Sequence, residues 1–219
     1  VLKDLMKLPN YSEISYTDEA ELFEKNNILV KCIDGDIFNE KITNLNDYNY
    51  LVEKSNEEII FKKRQGIASD VHKLEIGRRL VLGGIEIPSK LGLSGHSDAD
   101  VVLHAITDSI FGACSKGDLG TYFPSNDLSI KNSSSKLFLD KALTFMNELN
   151  LKILNIDIQI ILQEPKLSGY IEKIEKNISK LLDLNLECIN LKVTSTDKLG
   201  LIGNSEGIAT LSSVSLVKK

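Results

Sequence analysis

The sequence has few cysteines and no long hydrophobic run, and both shortages narrow the class of protein. Its cysteines, Cys32, Cys114 and Cys188, are odd in number and widely spaced, which predicts neither a disulfide framework nor a cysteine-based zinc site. No apolar run approaches the roughly 18 residues that cross a bilayer, because polar residues interrupt the longest one, Leu151 to Leu162. We therefore expect a soluble protein with reduced thiols.

An excess of basic residues is absent as well. The chain has 26 Lys and Arg against 31 Asp and Glu, a balance that gives little support for nucleic-acid binding. Residues 1–60 hold 6 of these basic side chains and 13 of the acidic ones. The remainder is therefore slightly basic, and a local arrangement of its charges could still bind a small anion.

Residues 1–60 have weak periodicity and a composition that permits disorder. Short helices are expected at 19–23 and 48–53, and a strand at 28–33. The chain begins at Val1 rather than Met, so we expect that upstream sequence was removed. The acidic segment is unlike a transit peptide, although it could follow one. We interpret residues 1–60 as an N-terminal extension, partly disordered or unassigned, and residues 61–219 as a separate folded domain.

From residue 61 onward the periodicity sharpens, and strands alternate with helices. We predict strands over 62–72, 152–163, 190–196 and 206–217, a hairpin over 80–87 that turns at Gly83-Gly84, and helices over 98–116, 135–149 and 170–182. Ser97 or Asp98 is expected to cap the first helix, and Gly117 to end it. The alternation predicts an α+β domain in which layers of helix and sheet pack together.

The three histidines all lie between positions 72 and 104. Period-two alternation places Asp70 and His72 on one face of a strand, and Asp100, His104 and Asp108 recur at four-residue steps on one helix face. Three protein ligands with an open fourth position are typical of catalytic zinc. The neighbouring acids could orient the imidazoles through their second nitrogens. One histidine alone is more often a structural or surface residue, but three with interleaved acids favour a metal site.

Three further loops are polar and rich in glycine, and each alone is more typical of an ordinary turn or loop than of a binding site. They are Ser195 to Gly207, Gln163 to Gly169, and Gly117 to Asp127. The first could bind phosphate through backbone N–H groups and magnesium through Asp197. The second could bind an anion through Lys166 and a helix N-terminus. In the third, Asp118 could accept ribose hydroxyls and Gly120 would allow close backbone approach.

Together, four motifs resemble the 2-C-methyl-D-erythritol 2,4-cyclodiphosphate synthase family from about Arg64 to the C-terminus. They are DVH (70–72), HSDADVVLHAITD (96–108), GDLG with FP (117–124), and TDKLG (196–200). The resemblance implies an α+β fold with a mixed sheet packed on helices, and it makes residues 61–219 the catalytic domain. It also implies a homotrimer with active sites between subunits, where one subunit supplies the zinc and its neighbour the cytidine pocket.

The resemblance further implies a phosphorus–oxygen lyase of the non-mevalonate isoprenoid pathway. Such an enzyme converts 4-diphosphocytidyl-2-C-methyl-D-erythritol 2-phosphate to 2-C-methyl-D-erythritol 2,4-cyclodiphosphate and releases CMP. Zinc would be held by Asp70, His72 and His104, and Asp197 would hold Mg²⁺ or Mn²⁺ with the substrate. A zinc-dependent phosphohydrolase acting on a nucleotide-linked substrate is the alternative, because it would share the zinc site. A structural zinc module would need a fourth protein ligand.

The same resemblance assigns catalytic roles to His96 and Ser195. The implied substrate-binding residues are Asp70, His72, His96, Ser97, Asp118, Gly120, Phe123, Lys166, Leu167, Thr194, Ser195, Thr196 and Asp197. The sequence departs from the family where Asp197 replaces a glutamate and Ser125 replaces an acid. Asn204 replaces an arginine that serves an anionic isoprenoid site at the trimer axis, so we expect that site to be weak or absent.

The resemblance also bears on cellular location. Eukaryotes that keep this pathway place it in a plastid, and the Asn/Lys-rich composition with its extension is similar to that of an apicomplexan plastid protein. We therefore predict the stroma of the plastid (apicoplast) for a eukaryotic source and the cytoplasm for a bacterial one.

Overall fold

A computed structural model of the 219-residue chain describes residues 4, 7, 18–31, 33–35, 41–124 and 133–219, without the side chains of 55–62. The chain forms two compact units, Val1–Val52 and Glu53–Lys219. Within the described ranges, no helix is long and apolar enough to span a membrane. Cys32 and Ser125, both singled out in the sequence, lie outside the described residues.

Among the described residues before residue 63, two helices have defined bounds. Helix α1 spans Glu19–Lys25, and its N-cap Asp18 accepts a hydrogen bond from a backbone N–H of the first turn. Helix α2 spans Leu45–Lys62. Both of the predicted short helices are therefore present, and the second is far longer than expected.

The strand predicted over 28–33 is wrong for the residues that the structure describes there. Residues 28–31 and 33 have no regular secondary structure. The side chains of Leu29 and Ile33 are exposed, and no strand of the described residues pairs with residues 28–31 or 33. A β-branched run forms a strand only where a neighbouring strand satisfies its backbone N–H and C=O groups.

Residues 63–219 build a layer of strands with helices packed against it. The strands are β1 Lys63–Ile76, β2 Leu80–Leu82, β3 Ile85–Ile87, β4 Leu91–Leu93, β5 Leu151–Ile161, β6 Ile189–Thr194 and β7 Gly207–Lys218. The helices are α3 Val101–Cys114, α4 Leu119–Tyr122, α5 Lys136–Glu148, α6 Ile171–Leu182 and α7 Gly200–Gly203. The predicted α+β class is confirmed.

The main sheet is mixed, with the strand order β4-β1-β7-β5-β6. Strands β5 and β6 pair in parallel, and the other pairs are antiparallel. The predicted hairpin is confirmed as β2 and β3, which form a separate two-stranded sheet. Its turn residues Gly83 and Gly84 both have positive φ, 60° and 77°, the backbone that this kind of tight hairpin favours and that glycine adopts without strain.

Helix α3 is placed by close contact with the long strands. It packs between β1 and β7 on one side and α5 on the other, and nearly all of its side chains are buried. At Gly66 of β1 a Cβ atom would lie 1.9 Å from the carbonyl oxygen of Ser109, so only glycine permits this approach. This close contact fixes the position of the helix on the strand, so that His104 in the first turn of α3 lies over Asp70 and His72 in the middle of β1.

The start and end of α3 differ from the prediction. Neither Ser97 nor Asp98 is the N-cap, because Asp100 takes that position and its side chain accepts the backbone N–H groups of the first turn. The helix ends at Cys114, and Ser115 adopts the left-handed conformation of a C-cap. Gly117 lies just beyond this cap rather than forming it.

Candidate metal centre and active site

Three predicted ligands converge where β1 passes beneath the first turn of α3. The Oδ2 atom of Asp70 lies 2.9 Å from Nε2 of His72 and 3.0 Å from Nδ1 of His104. The two ring nitrogens are 3.1 Å apart. One carboxylate oxygen and two imidazole nitrogens therefore face a common point, which forms a possible metal-binding group.

The second nitrogen of each imidazole is held by another group. Nδ1 of His72 lies 2.7 Å from the backbone carbonyl of Ser94, and a carbonyl can only accept, so this nitrogen carries the proton. Nε2 of His104 lies 2.8 Å from the Oγ of Ser135. The nitrogens that face Asp70 are thereby available as lone-pair donors, the arrangement found around metal-ligating histidines. The donor set of two imidazoles and one carboxylate fits a divalent cation of the zinc type.

The idea that neighbouring acids orient the imidazoles is wrong for Asp100. Its buried carboxylate accepts backbone N–H groups of α3 at 3.0 and 3.1 Å and those of Gly83 and Gly84 at 2.9 and 2.6 Å. Burial raises its pKa to about 6, and the backbone N–H groups of Gly84, Leu103 and Gly83 act in the opposite direction. Asp100 therefore joins the start of α3 to the β2–β3 turn and does not touch a ligand.

Asp108, the other neighbouring acid, also has a different partner. Its carboxylate accepts the backbone N–H of Leu119 at 2.6 Å, and burial raises its pKa. This bond joins α3 to α4, whose N-cap is the exposed Asp118. Hydrogen bonds from Thr121 lower the pKa of Asp118. The proposed ribose-contacting residues Asp118 and Gly120 are thus tied to the helix that carries the metal ligand.

Charge in the cluster favours an ionised carboxylate. Burial opposes ionisation of Asp70, but in the metal-free cluster, where a proton takes the place of a cation between the ligand atoms, hydrogen bonds with His104 and His72 outweigh it and hold the Asp70 pKa well below its usual range. Burial likewise opposes protonation of His72, yet the hydrogen bond to Asp70 raises its pKa. The carboxylate therefore stays negative at neutral pH, as a metal ligand must.

The loop that carries His96 and Ser97 is braced by an arginine that the sequence did not single out. The guanidinium of Arg78 donates to the backbone carbonyls of Leu93, Gly95 and Ser97 at 3.0–3.1 Å. His96 is exposed and Ser97 is buried, with the Ser97 Oγ 3.4 Å from Nε2 of His104. Because the partners of Arg78 are backbone atoms 15–19 positions away, no residue pattern marks it in the sequence.

Two of the predicted loops contribute residues to the walls of a groove of about 480 Å³. Its walls are formed by residues 162–168 together with Ile171 and residues 193–195. They include the predicted Lys166, Leu167, Thr194 and Ser195. The side-chain Oε1 of Gln163 in this loop accepts the backbone N–H of Lys198 at 3.2 Å, which joins the groove to the TDKLG motif.

The remaining predicted residues lie at the edges of these features. Asp197 is exposed, and its carboxylate accepts the hydroxyl of Ser195 at 3.2 Å. The hydroxyl of Thr196 donates to the carbonyl of Leu199. The ring of Phe123 packs 4.5 Å from that of Phe138, which in turn packs against His104 at 5.6 Å.

A second cavity, of about 690 Å³, is lined by one of the candidate metal ligands, His72. It lies between residues 71–74 of β1 and residues 199–202 and 205–207, which begin at the end of the TDKLG motif. Exposed leucines, Leu199 and Leu201, contribute to its wall. The structure thus brings the DVH and TDKLG motifs to the two sides of one cavity.

Comparisons with known proteins agree with this arrangement. The sequence model of the YgbB family matches residues 63–217. The 2-C-methyl-D-erythritol 2,4-cyclodiphosphate synthase of Leptospira borgpetersenii is 47% identical over 157 residues, covering 71% of this chain and 98% of that protein. The bifunctional enzyme IspD/IspF of Aliarcobacter butzleri is 35% identical over 219 residues, covering 99% of this chain and 56% of that protein.

Among solved structures, IspF of Plasmodium falciparum in a CDP complex is similar, with a TM-score of 0.64 and 35% identity. The match covers 72% of this chain and 97% of that one. The family model matches most of the chain, and the Leptospira enzyme is covered almost from end to end. The chain therefore belongs to the YgbB family, the family of the 2-C-methyl-D-erythritol 2,4-cyclodiphosphate synthases.

Proposed function

We propose that this chain converts 4-diphosphocytidyl-2-C-methyl-D-erythritol 2-phosphate to 2-C-methyl-D-erythritol 2,4-cyclodiphosphate with release of CMP, as a phosphorus–oxygen lyase of the non-mevalonate isoprenoid pathway. The observation that carries the proposal is the convergence of Asp70, His72 and His104 at mutual distances of 2.9–3.1 Å in a chain that belongs to this family. The same three positions lie in DVH (70–72) and HSDADVVLHAITD (96–108), two of the four motifs that carry the resemblance.

The reaction depends on positioning the substrate phosphates and neutralising their charge more than on a basic side chain of the protein. The 2-phosphate of the substrate is already anionic, so it can attack the β-phosphorus of the diphosphate without giving up a proton to the enzyme. Zinc held by Asp70, His72 and His104 would supply a Lewis acid for a diphosphate oxygen. The protein's own task is to hold both ends of a flexible substrate so that attacking and departing groups lie in line.

Separate regions of the chain are suited to the separate parts of the substrate. We assign the cytosine to the 480 Å³ groove, whose loop carries Lys166, and the ribose to Asp118 with Gly120. The exposed ring of His96 is free to contact the methylerythritol phosphate end, beside the buried Ser97. Asp197, exposed next to Ser195, would hold Mg²⁺ or Mn²⁺ on the diphosphate.

The test is product analysis with the purified chain. Incubation with the cytidine substrate, Zn²⁺ and Mg²⁺ should yield CMP and a cyclic diphosphate, which ³¹P NMR distinguishes from linear phosphates. A linear phosphate product would instead support a zinc-dependent phosphohydrolase, which would share the same three ligands. Absence of both products with metal-loaded protein would contradict the proposal.

We also propose a homotrimer with active sites between subunits. Support comes from the face of the main sheet opposite to α3, where Ile67, Val71 and Leu211 are 68%, 62% and 39% exposed. The register pairs Val71 with Ala209 and Ser69 with Leu211, so these side chains form one apolar area across β1 and β7. Contiguous apolar surface of this kind is typical of a contact between protein copies.

We further propose that residues 61–219 are the catalytic domain and that the preceding region belongs to a bifunctional type of chain. The support is coverage: the single-function relative matches 71% of this chain, whereas the IspD/IspF enzyme of Aliarcobacter butzleri matches 99%. This favours the bacterial, cytoplasmic alternative over a plastid. Measurement of the intact mass of the natural gene product tests whether the chain is bifunctional. A polypeptide whose N-terminus lies near residue 1 would contradict this proposal.

A further inference from the structure

We propose that Asp98 and Ser135 form a positioning pair that selects the tautomer of His104 and thereby sets the affinity of the metal centre. The inference rests on the metal ligation proposed above. Ser135 immediately precedes α5, but its side chain makes no capping hydrogen bond to that helix. Its hydroxyl is nevertheless fully buried, so a role other than capping must account for the burial of this polar group.

The direction of the hydrogen bonds follows from the proton count. A serine hydroxyl has one proton to donate, and an ionised carboxylate can only accept. The Ser135 Oγ is in short contact with Oδ1 of Asp98 and lies 2.8 Å from Nε2 of His104. The carboxylate of Asp98 also accepts the backbone N–H of Ser135 at 3.1 Å, as an ionised acceptor would. The hydroxyl proton therefore goes to Asp98, and the Ser135 Oγ accepts from His104.

This direction decides which nitrogen of His104 can bind a cation. Because Nε2 must donate to Ser135, it carries the ring proton, and Nδ1 keeps its lone pair. Nδ1 is the atom that faces Oδ2 of Asp70 at 3.0 Å. The opposite tautomer would place a proton at the point where the three ligand atoms meet and would block ligation.

Ser97 is a weaker candidate than Ser135 for the acceptor of the hydrogen bond from Nε2 of His104. Its Oγ lies 3.4 Å from both Nε2 of His104 and Oγ of Ser135, longer than a strong hydrogen bond. It also accepts the backbone N–H of Ala99 at 3.1 Å. The shorter contacts of Ser135 therefore control the ring.

Four variants separate tautomer selection from simple packing. Ser135→Ala removes the acceptor. Asp98→Asn keeps the size of the side chain, but its NH₂ group can donate to the Ser135 Oγ and so reverse the hydrogen-bond direction. Ser135→Thr keeps the hydroxyl, and Ser134→Ala changes the exposed neighbouring serine as the matched control.

The measurement is the dissociation constant for Zn²⁺ of the full chain after removal of metal by a chelator, determined by competition with a chromophoric chelator. Ser135→Ala and Asp98→Asn should each weaken zinc binding by about 10–100-fold, the usual effect of removing a group that orients a ligand. Ser135→Thr and Ser134→Ala should bind within about threefold of the parent chain. The thermal midpoint of each metal-free variant is recorded alongside.

Zinc binding by Ser135→Ala and Asp98→Asn within about twofold of the parent would overturn the inference, as would equal weakening in Ser134→Ala. If Ser135→Ala does not fold, Asp98→Asn carries the test alone. A parent chain that binds no zinc would remove the proposed ligation itself, an outcome distinct from a parent that binds zinc and variants that bind it equally well.

Discussion

The three histidines occupy three different environments, which suit them to two different tasks. His72 is held through Nδ1 by a backbone carbonyl, and His104 is buried and held through Nε2 by a hydroxyl. His96 is exposed on the loop braced by Arg78. The two rings with fixed second nitrogens are suited to ligation, and the exposed ring is suited to contact with a substrate.

We expect His104→Ala and His96→Ala to separate these tasks. His104→Ala should lose bound zinc and turnover together, because two ligands cannot hold the ion tightly. His96→Ala should keep its zinc, yet its kcat should fall by about 10²-fold through loss of transition-state stabilisation. Metal analysis of the purified variants and steady-state kinetics check both expectations. Full zinc content in His104→Ala would remove that residue from the ligand set.

The pair of Asp70 and His72 makes stability depend on pH in the metal-free protein. The pKa of His72 is raised above its ordinary value of 6.5, and that of Asp70 is lowered below 3.8, in each case against the effect of burial. The stabilisation by His72 is complete below its unfolded pKa and is lost as pH rises through the folded value. The stabilisation by Asp70 is complete above its unfolded pKa and is lost as pH falls through the folded value. The pair therefore stabilises the fold most between about pH 4 and 6.5.

Unfolding of chelator-treated protein by denaturant, from pH 4 to 9, measures this effect. The difference in free energy of unfolding between the parent and His72→Ala should be largest near pH 5 and should shrink above pH 7. His96→Ala, at an exposed position, serves as the control and should show a nearly constant difference. A parent-to-His72→Ala difference that grows toward pH 9 is incompatible with a raised His72 pKa.

Among the elements, the start of α3 depends on one buried carboxylate. Asp100 accepts four backbone N–H groups, two from the first turn of α3 and two from the glycine turn of the β2–β3 hairpin. These are groups that a helix start and a tight turn would otherwise leave unpaired in the interior. The helix that positions His104 is thereby joined to a second, separate sheet.

Asp100→Asn should lower the free energy of unfolding by about 2–4 kcal/mol, because one amide oxygen cannot serve four donors and the NH₂ group opposes some of them. Asp140→Asn, on the exposed surface of α5, removes only an ion pair with Lys136 and should change stability by less than about 1 kcal/mol. Denaturant unfolding of the two metal-free variants makes the comparison. Equal losses would mean that Asp100 is not a structural junction.

For the molecule as a whole, the two faces of the main sheet differ in what covers them. One face is covered by α3, and buried side chains of β7 such as Ile208 and Val214 point toward it. The opposite face exposes Ile67, Val71 and Leu211. An isolated subunit would leave this apolar area in water, which favours association of copies.

If the proposed trimer forms through this face, with active sites between subunits, Ile67→Asp should shift the protein from trimer to monomer and reduce turnover at least tenfold. Each charge buried in an apolar contact costs several kcal/mol, and a trimer carries three of them. Leu137→Asp, an exposed apolar residue on α5, is the matched control and should remain trimeric. Sedimentation velocity measures the change. A trimeric Ile67→Asp variant would place the contact elsewhere.

The sequence alone was enough for the class of fold and for the three converging ligands. Period-two alternation placed Asp70 beside His72 on one strand face, and a period near four placed His104 on a helix. These local rules hold because backbone geometry repeats from residue to residue. The glycine pair of the hairpin was equally readable, since few other residues adopt positive φ at both positions.

Folding in three dimensions was needed to find the groups that support the ligands. Asp100 accepts two of its backbone N–H groups from the β2–β3 turn, Asp108 accepts one from α4, and Ser135 reaches His104 from 31 positions away. The strand expected at 28–33 is wrong for a related reason. The strand propensity of a segment is a local property, but a strand forms only where another strand pairs with it. Local patterns report the conformation of a segment, whereas the direction and partner of a hydrogen bond depend on which distant segments the packed core brings within about 3 Å.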